Sequence, residues 1–306
     1  MIPWKFTFIT DIHVGSPRSF RFAPAWNENW QTARAQIIET NPDFLLLGGD
    51  LTRDGNIHRY EMENIKADLD NLPFPFHTVP GNMDTGNKHT PVQGALSDRN
   101  DLSLNVTSQQ VKTFEEIFGS SHWSFIHKGV RFTGICDMLI NSNLPEEKIL
   151  WDWLEKLKEE PPEKYHVFVM HYALFIDSLD EKKHQITNPD EYLLWYFSMD
   201  EPGRSRLYEY FKTTGVTNVL TGHIHCRKVH YVDNIRFDLC PALSVGQLAS
   251  QWEDGDTTFG FLKVEVSDQG LKPTFVPLKK VSTLKGYGPT GHPKEEERDY
   301  SIAWEK

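Results

Sequence analysis

Short apolar runs that stop at polar or glycine residues recur along most of the chain, and between them apolar positions fall at helical spacing. The run 6–10 stops at Asp11-Ile12-His13, the run 44–47 at Gly48-Gly49-Asp50, and the run 76–79 at Pro80-Gly81-Asn82. Residues 25–40 and 57–72, which lie between these runs, read as helices that end before "NPD" and before Pro73. Strand and helix in alternation predict a parallel α/β sheet. Further on, 107–119 opens with Thr107 and Gln110 in capping-box spacing and closes at Gly119. The stretch "HWSFIHKGVRFTGICD" predicts two strands joined at Lys128 and Gly129. Residues 146–159 predict a helix with Ile149, Leu150, Trp153, Leu154 and Leu157 on one face. "HVFVMH" and "TNVLTGH" read as buried strands, with a helix over 204–214 between them.

Beyond residue 226 the helical spacing disappears. "RKVHYVDNIRFDLC" predicts a hairpin turning at Asp233 and Asn234, and "FGFLKVEV" and "KPTFVPL" predict further strands. These strands are expected to complete a second sheet. Residues 279–306 are polar, with Gly and Pro, and are expected to form a loose arm on a single domain spanning 1–278. Two long connections, 85–106 and 173–202, have the length of functional loops. There is no internal repeat.

Composition narrows the function classes. With 306 residues, 39% of them hydrophobic, the chain can bury a large core. No run approaches the roughly 18 apolar residues of a membrane span, and the N-terminus goes straight into a strand pattern. The expected location is cytoplasmic, with no membrane association. A net charge of −11 argues against non-specific nucleic-acid binding. It also fits carboxylates gathered around a cation. Cys136, Cys226 and Cys240 are odd in number and widely spaced, which predicts reduced thiols rather than a disulfide framework.

Five short motifs sit where strands are expected to end: Asp11 with His13, Gly49 with Asp50, Asn82 with Asp84, His171, and His223 with His225. Singly, each has an ordinary reading as a turn, a cap or a hydrogen-bonded core histidine. In an open α/β sheet, however, ligands bind outside the carboxyl ends of the strands, so all five motifs can share one rim. Two Asp, one Asn and four His make an oxygen and nitrogen donor set without thiolate. That set suits Mn, Fe, Zn or Ni better than Ca or Mg. It exceeds what one ion takes from protein, whereas two ions sharing a carboxylate would use it all. Such pairs, about 3.5–4 Å apart, clamp the attacking and leaving oxygens of a phosphoryl displacement.

In this order the motifs D-x-H, G-D, G-N-x-D, H and G-H-x-H resemble the calcineurin-like metallophosphoesterase superfamily over about residues 4–270. "GNMDTGN", "SFIHKGVRF" and "SVGQL" are most similar to the branch of single-domain calcineurin-like phosphoesterase domain-containing phosphatases. The resemblance implies a four-layer αββα sandwich, two mixed β-sheets flanked by helices, and a metal-bridging hydroxide that attacks phosphorus in line. Carried over by position, Asp11, His13, Asp50 and His225 would hold one ion and Asn82, His171 and His223 the other, with Asp50 bridging. Asp50, Asn82 and His223 would be the catalytic positions, and Asp84 would support them from behind.

The chain departs from the superfamily at Met83, where most members carry the His that orients the phosphate and protonates the leaving oxygen. A thioether has no proton to give. Some superfamily members have Cys at this position and look like working phosphodiesterases, so the loss need not abolish turnover. His89 is a possible substitute donor, with His58 and His184 weaker ones, and Arg53 is placed to touch a substrate phosphate. Each of these also reads as an ordinary surface or loop residue. Trp195, Tyr196 and Phe197 read either as a pocket wall or as core packing.

The leading expectation is a dinuclear metal-dependent phosphoesterase, a phosphomonoesterase acting on a phosphorylated small molecule or phosphoprotein. The alternatives are a nucleotide phosphodiesterase, and a metal-holding protein that binds phosphorylated ligands with weak turnover because of Met83.

Overall fold

A computed structural model of the chain describes residues 2–89, 101–181, 196–246, 254–301 and 303. Among these residues the fold has two large sheets. The first has the order β11-β10-β1-β2-β3. Its parallel strands are β1 (Trp4–Ile9), β2 (Leu45–Leu47) and β3 (Phe76–Thr78). The antiparallel pair β10 (Gly260–Ser267) and β11 (Gly270–Pro277) extends it on the far side of β1. The second sheet has the order β4-β5-β6-β7-β9-β8. Here β5 (Val130–Gly134), β6 (Tyr165–Val169), β7 (Asn218–Thr221) and β9 (Ile235–Leu239) run parallel. The edge strands β4 (Trp123–His127) and β8 (Lys228–Val232) are antiparallel to their neighbours.

Three layers of apolar side chains hold this arrangement. Phe6, Phe8 and Leu46 of the first sheet meet Phe132, Val167 and Leu220 of the second. On the opposite face of the first sheet, Leu45 and Leu47 pack on α1 (Pro24–Thr40) and α2 (Arg59–Asp70) through Trp30, Ile37, Met62 and Ile65. Leu45 and Leu47 thus point one way and Leu46 the other, the two-residue alternation of a strand covered on both faces. Behind the second sheet lie α5 (Pro145–Leu157) and α6 (Gly203–Thr213), contributing Leu150, Leu154, Leu207 and Phe211. The remaining helices are α3 (Asn82–Thr85) and α4 (Ser108–Phe118), the latter opened by the Thr107–Gln110 capping box. The layers run helix, sheet, sheet, helix, the αββα sandwich.

Three expectations are corrected. The strands "FGFLKVEV" and "KPTFVPL" do not finish the second sheet. As β10 and β11 they cover the open edge of β1, with Phe6 opposite Val264. Without them β1, apolar on both faces, would be an unpaired edge. In α5 the buried stripe is Leu150, Trp151 and Leu154, whereas Ile149 is 57% exposed, so the face is turned by one residue. The polar stretch 279–299 is not loose. Lys279 and Ser282 donate backbone N–H groups to Gln36 and Asn29 of α1. Thr290–Gly291 then pairs with Arg298–Asp299, and Arg298 is buried.

Candidate metal centre

The carboxyl ends of β1 and β2 stay zipped together beyond the sheet. Asp11 N donates to Gly49 O, His13 N to Asp50 O, Val14 N to Leu51 O and Arg53 N to Val14 O, at 2.8–3.1 Å. This ladder brings "DIH" beside "GD". Asp11, His13, Asp50, His223 and His225 all have left-handed backbone, with φ between 50° and 67°. Non-glycine residues seldom accept that conformation, and its clustering here marks a site whose side chains are aimed at the expense of backbone strain.

The side chains converge as two groups that share Asp50. Ligand atoms of Asp11, His13, Asp50 and His225 lie within 4.8 Å of one another, as do those of Asp50, His171 and His223. His13 Nε2 and His225 Nε2 face each other at 3.2 Å. Asp11 Oδ1 is 3.0 Å from His225 Nε2 and 3.7 Å from His13 Nε2. Asp50 Oδ2 lies 3.6 Å from His13 Nε2, and its Oδ1 lies 3.4 Å from His171 Nε2. Asn82 Oδ1 is 3.1 Å from His171 Nε2.

Buried electrostatics fit a cationic guest. Asp11 and Asp50 are fully enclosed, yet neither carboxyl is raised. Burial opposes ionisation, but His225 and His13 at Asp11, and His171 at Asp50, outweigh it and hold both pKa values low. Burial pushes His13 and His223 down, towards the neutral imidazole that binds metal. At His171 burial acts downward too, but Asp50, Asp11 and Asp137 hold its pKa up at about 10. Asp11 Oδ1 accepts no hydrogen bond within the protein despite its burial. An orphaned carboxylate oxygen among inward-facing imidazoles, with no thiolate nearby, suits divalent transition metals.

Several supporting groups were not singled out in the sequence. Asp137, just after β5, accepts the backbone N–H groups of His171 and Tyr172 at 2.9 and 2.8 Å and fixes where His171 begins. "ICD" has the same form as the other strand-end motifs, an apolar run closed by Asp. Asn87 accepts from Asn82 Nδ2 at 3.1 Å and so turns the Asn82 oxygen towards His171. Thr10 Oγ1 donates to Asp11 Oδ2 at 2.7 Å, and His223 N donates to the same oxygen at 3.0 Å. Asp84 touches no ligand. It accepts from Gly81 N, Leu51 N, Thr52 N and Thr52 Oγ1 at 2.7–3.2 Å, tying the turn after β3 to the turn after β2. Burial, then the Asp50 charge, push its carboxyl up to about 6.

Met83 lies at the head of the site and is half-buried. Its backbone N–H donates to Asp50 Oδ1 at 2.8 Å, and its sulfur accepts from Asn82 Nδ2 at 3.4 Å. Of the candidate donors, His89 and His58 are not brought to the ligand groups. His89 Nε2 is occupied by Val106 O at 3.0 Å. His58 stacks on Tyr60 and sits 4.0 Å from Asp54 Oδ2. His184 falls outside the described residues, as does Trp195. Phe197 is buried in the core and half-buried Tyr196 packs against it, and both rings lie against His223, with ring centres 5.2 and 5.4 Å away.

Comparison with known proteins agrees with this geometry. The serine/threonine-protein phosphatase CPPED1 of Danio rerio is 24% identical over 303 residues, 92% of this chain and 86% of its own length. A probable glycerophosphodiester phosphodiesterase, GpdQ, of Arcobacter nitrofigilis is 25% identical over 61% of this chain and 58% of its own length. The purple acid phosphatase PPD1 from yellow lupin shares the fold, with a TM-score of 0.63 at 15% identity, covering 92% of this chain and 53% of that one. The model of the calcineurin-like phosphoesterase family matches residues 5–227, a span that ends just past His225 and includes every residue of the two ligand groups. The chain therefore belongs to the calcineurin-like phosphoesterase family and is a metal-dependent phosphoester hydrolase.

Proposed function

We propose that the protein is a phosphomonoesterase that works with two divalent ions drawn from Mn, Fe, Zn and Ni. Asp11, His13, Asp50 and His225 hold one ion, and Asp50, Asn82, His171 and His223 hold the other. The observation that carries this reading is the placing of Asp50 between the two groups, one oxygen towards His13 and the other towards His171. When bound, such ions lower the pKa of water and neutralise phosphate oxygens.

The chain's own residues supply position. Asn87 keeps the Asn82 oxygen turned inward, Asp137 anchors His171, and Asp84 clamps the two turns that carry Asp50 and Asn82. Nothing at position 83 can protonate a leaving group, so the favoured esters are those whose leaving group departs as a stable anion. Coverage supports the monoesterase over the diesterase: the likeness spans 86% of the phosphatase and 58% of the diesterase. The substrate is a phosphorylated small molecule or phosphoprotein. The three cysteines are free and buried, which suits a reducing compartment such as the cytoplasm. No described helix is long and apolar enough to cross a membrane.

The test is a panel of phosphate monoesters and diesters assayed with Mn²⁺. Preferential hydrolysis of monoesters is expected. Preference for diesters would replace the reading with the diesterase. Binding of phosphate without turnover on any ester would replace it with a phospho-ligand binding protein.

A further inference from the structure

The groups that border the metal centre and remain half-buried include Trp26, Arg53, Met83 and Tyr196. Two of them are built into one surface. Trp26, in the first turn of α1, places its ring centre 6.2 Å from that of His13. One turn later Trp30 is buried in the core with its Nε1 donating to Asp68. Phe22 meets the Trp26 ring edge-on at 5.8 Å and backs it. The Arg53 guanidinium lies 5.3 Å from the centre of the Trp26 ring. Its backbone is held by Val14 O at 2.8 Å and its Nε by Phe20 O at 2.6 Å. Among the described residues its two terminal nitrogens have no hydrogen-bond partner, so their donors remain available.

We propose that Trp26 and Arg53 form a binding shelf beside the phosphate site that takes a planar, aromatic leaving group. This rests on the phosphomonoesterase reading and adds the class of alcohol released. Without an acid at position 83, the P–O bond breaks with its electron pair passing to the leaving oxygen. Water supplies the new oxygen on phosphorus, and the leaving anion takes its proton from solvent. Such a step favours a phenolate or a heteroaromatic oxyanion, whose charge spreads into a flat ring. Trp26 offers a face to such a ring. The fixed Arg53 guanidinium offers positive charge to the oxyanion, in a protein whose net charge of −11 would otherwise repel it.

The experiment compares two inert ligands with the same head group, phenylphosphonate and methylphosphonate. Each is titrated by calorimetry into the full chain loaded with Mn²⁺. Phenylphosphonate is expected to bind on the order of tenfold more tightly. The Trp26→Leu and Arg53→Gln substitutions should shrink that ratio towards one, and Trp26→Phe should retain part of it. Equal binding of the two ligands by the native protein overturns the shelf, as does a Trp26→Leu variant that weakens both alike. If the Leu variant does not fold, the native ratio together with Trp26→Phe decides. Because the readout is binding, it stands apart from hydrolysis. Failure to cleave any monoester sinks the phosphomonoesterase reading, whereas cleavage with a phosphonate ratio of one sinks the shelf alone.

Discussion

Arg298 and Asp54 form a buried ion pair, Nη1 to Oδ2 at 2.6 Å, that joins the end of the chain to the loop after β2. The same Asp54 oxygen accepts from Phe20 N at 2.8 Å, and Phe20 O accepts from Arg53 Nε at 2.6 Å. A residue near the C-terminus is thus linked through three hydrogen bonds to a side chain at the mouth of the metal centre.

Removing Arg298 should accordingly act on both stability and substrate binding. Arg298→Ala strands a buried carboxylate, and breaking such a pair typically costs about 3–5 kcal/mol. Arg298→Lys should lose less, since it keeps the charge but not the hydrogen bonds to Arg18 O and Pro293 O. Urea denaturation reads the first effect. The second is read from kinetics on an aryl phosphate, where KM should rise more than kcat falls. A variant with native stability would show that the pair contributes nothing net.

Asp50 is the residue whose loss should be felt most widely. Asp50→Ala removes the one carboxylate common to both ligand groups. Activity should vanish, and the rise in melting temperature on adding Mn²⁺ should shrink to near zero, because stabilisation by a bound ion follows its affinity. An active, metal-replete Asp50→Ala protein would remove Asp50 from its shared role.

His166 makes a separate prediction about acid stability. It is buried in β6, with Nε2 2.9 Å from Thr133 Oγ1 and Nδ1 3.3 Å from Thr214 O. Burial pushes its pKa down to about 4. The unfolded chain binds this proton near pH 6.5 and the folded chain only near 4, so stability falls as pH drops through that window. Above 6.5 both states are neutral and the term is flat. The loss by pH 4 is about 3 kcal/mol. Glu61, raised to about 7 by burial, works in the opposite sense, losing stability as pH rises through the range. The measurement is therefore the difference between the native protein and His166→Gln, both metal-free, unfolded in urea from pH 7.5 to 4. The gap between them should narrow as the pH falls.

What was legible in the sequence was local. The Asp233-Asn234 turn could be read because both residues tolerate left-handed backbone, and they adopt it at φ 48° and 65°. The residues of the two ligand groups stood out because each follows an apolar run. What was not legible was pairing at a distance. Nothing inside "FGFLKVEV" says that it lies beside β1 rather than β8, since an apolar strand fits either sheet. The docking of the polar tail depends on Arg298 reaching Asp54 across 244 positions of sequence. The role of Asp137 is not legible because its work is done through the backbone of His171, a partner that only folding reveals.

Met83 gives the sharpest test of mechanism. Its backbone N–H holds Asp50 Oδ1 at 2.8 Å, a contact that any residue in this turn can make, so the side chain can be exchanged without dismantling the site. General acid catalysis typically contributes about 10²–10⁴-fold, most where the leaving group is a poor one. The native enzyme should therefore hydrolyse aryl phosphates and phosphoanhydrides well and alkyl phosphates poorly, with rates falling steeply as leaving-group pKa rises. Met83→His would place an imidazole next to Asp84, and rates on alkyl esters should rise by up to about 10²-fold with little change for aryl esters. The check is a pair of rate series against leaving-group pKa, one for each protein. His89 is already held by Val106 O. A flat native series that Met83→His leaves unchanged would mean that a donor is already in place, and that Met83 serves only to pack against Asn82.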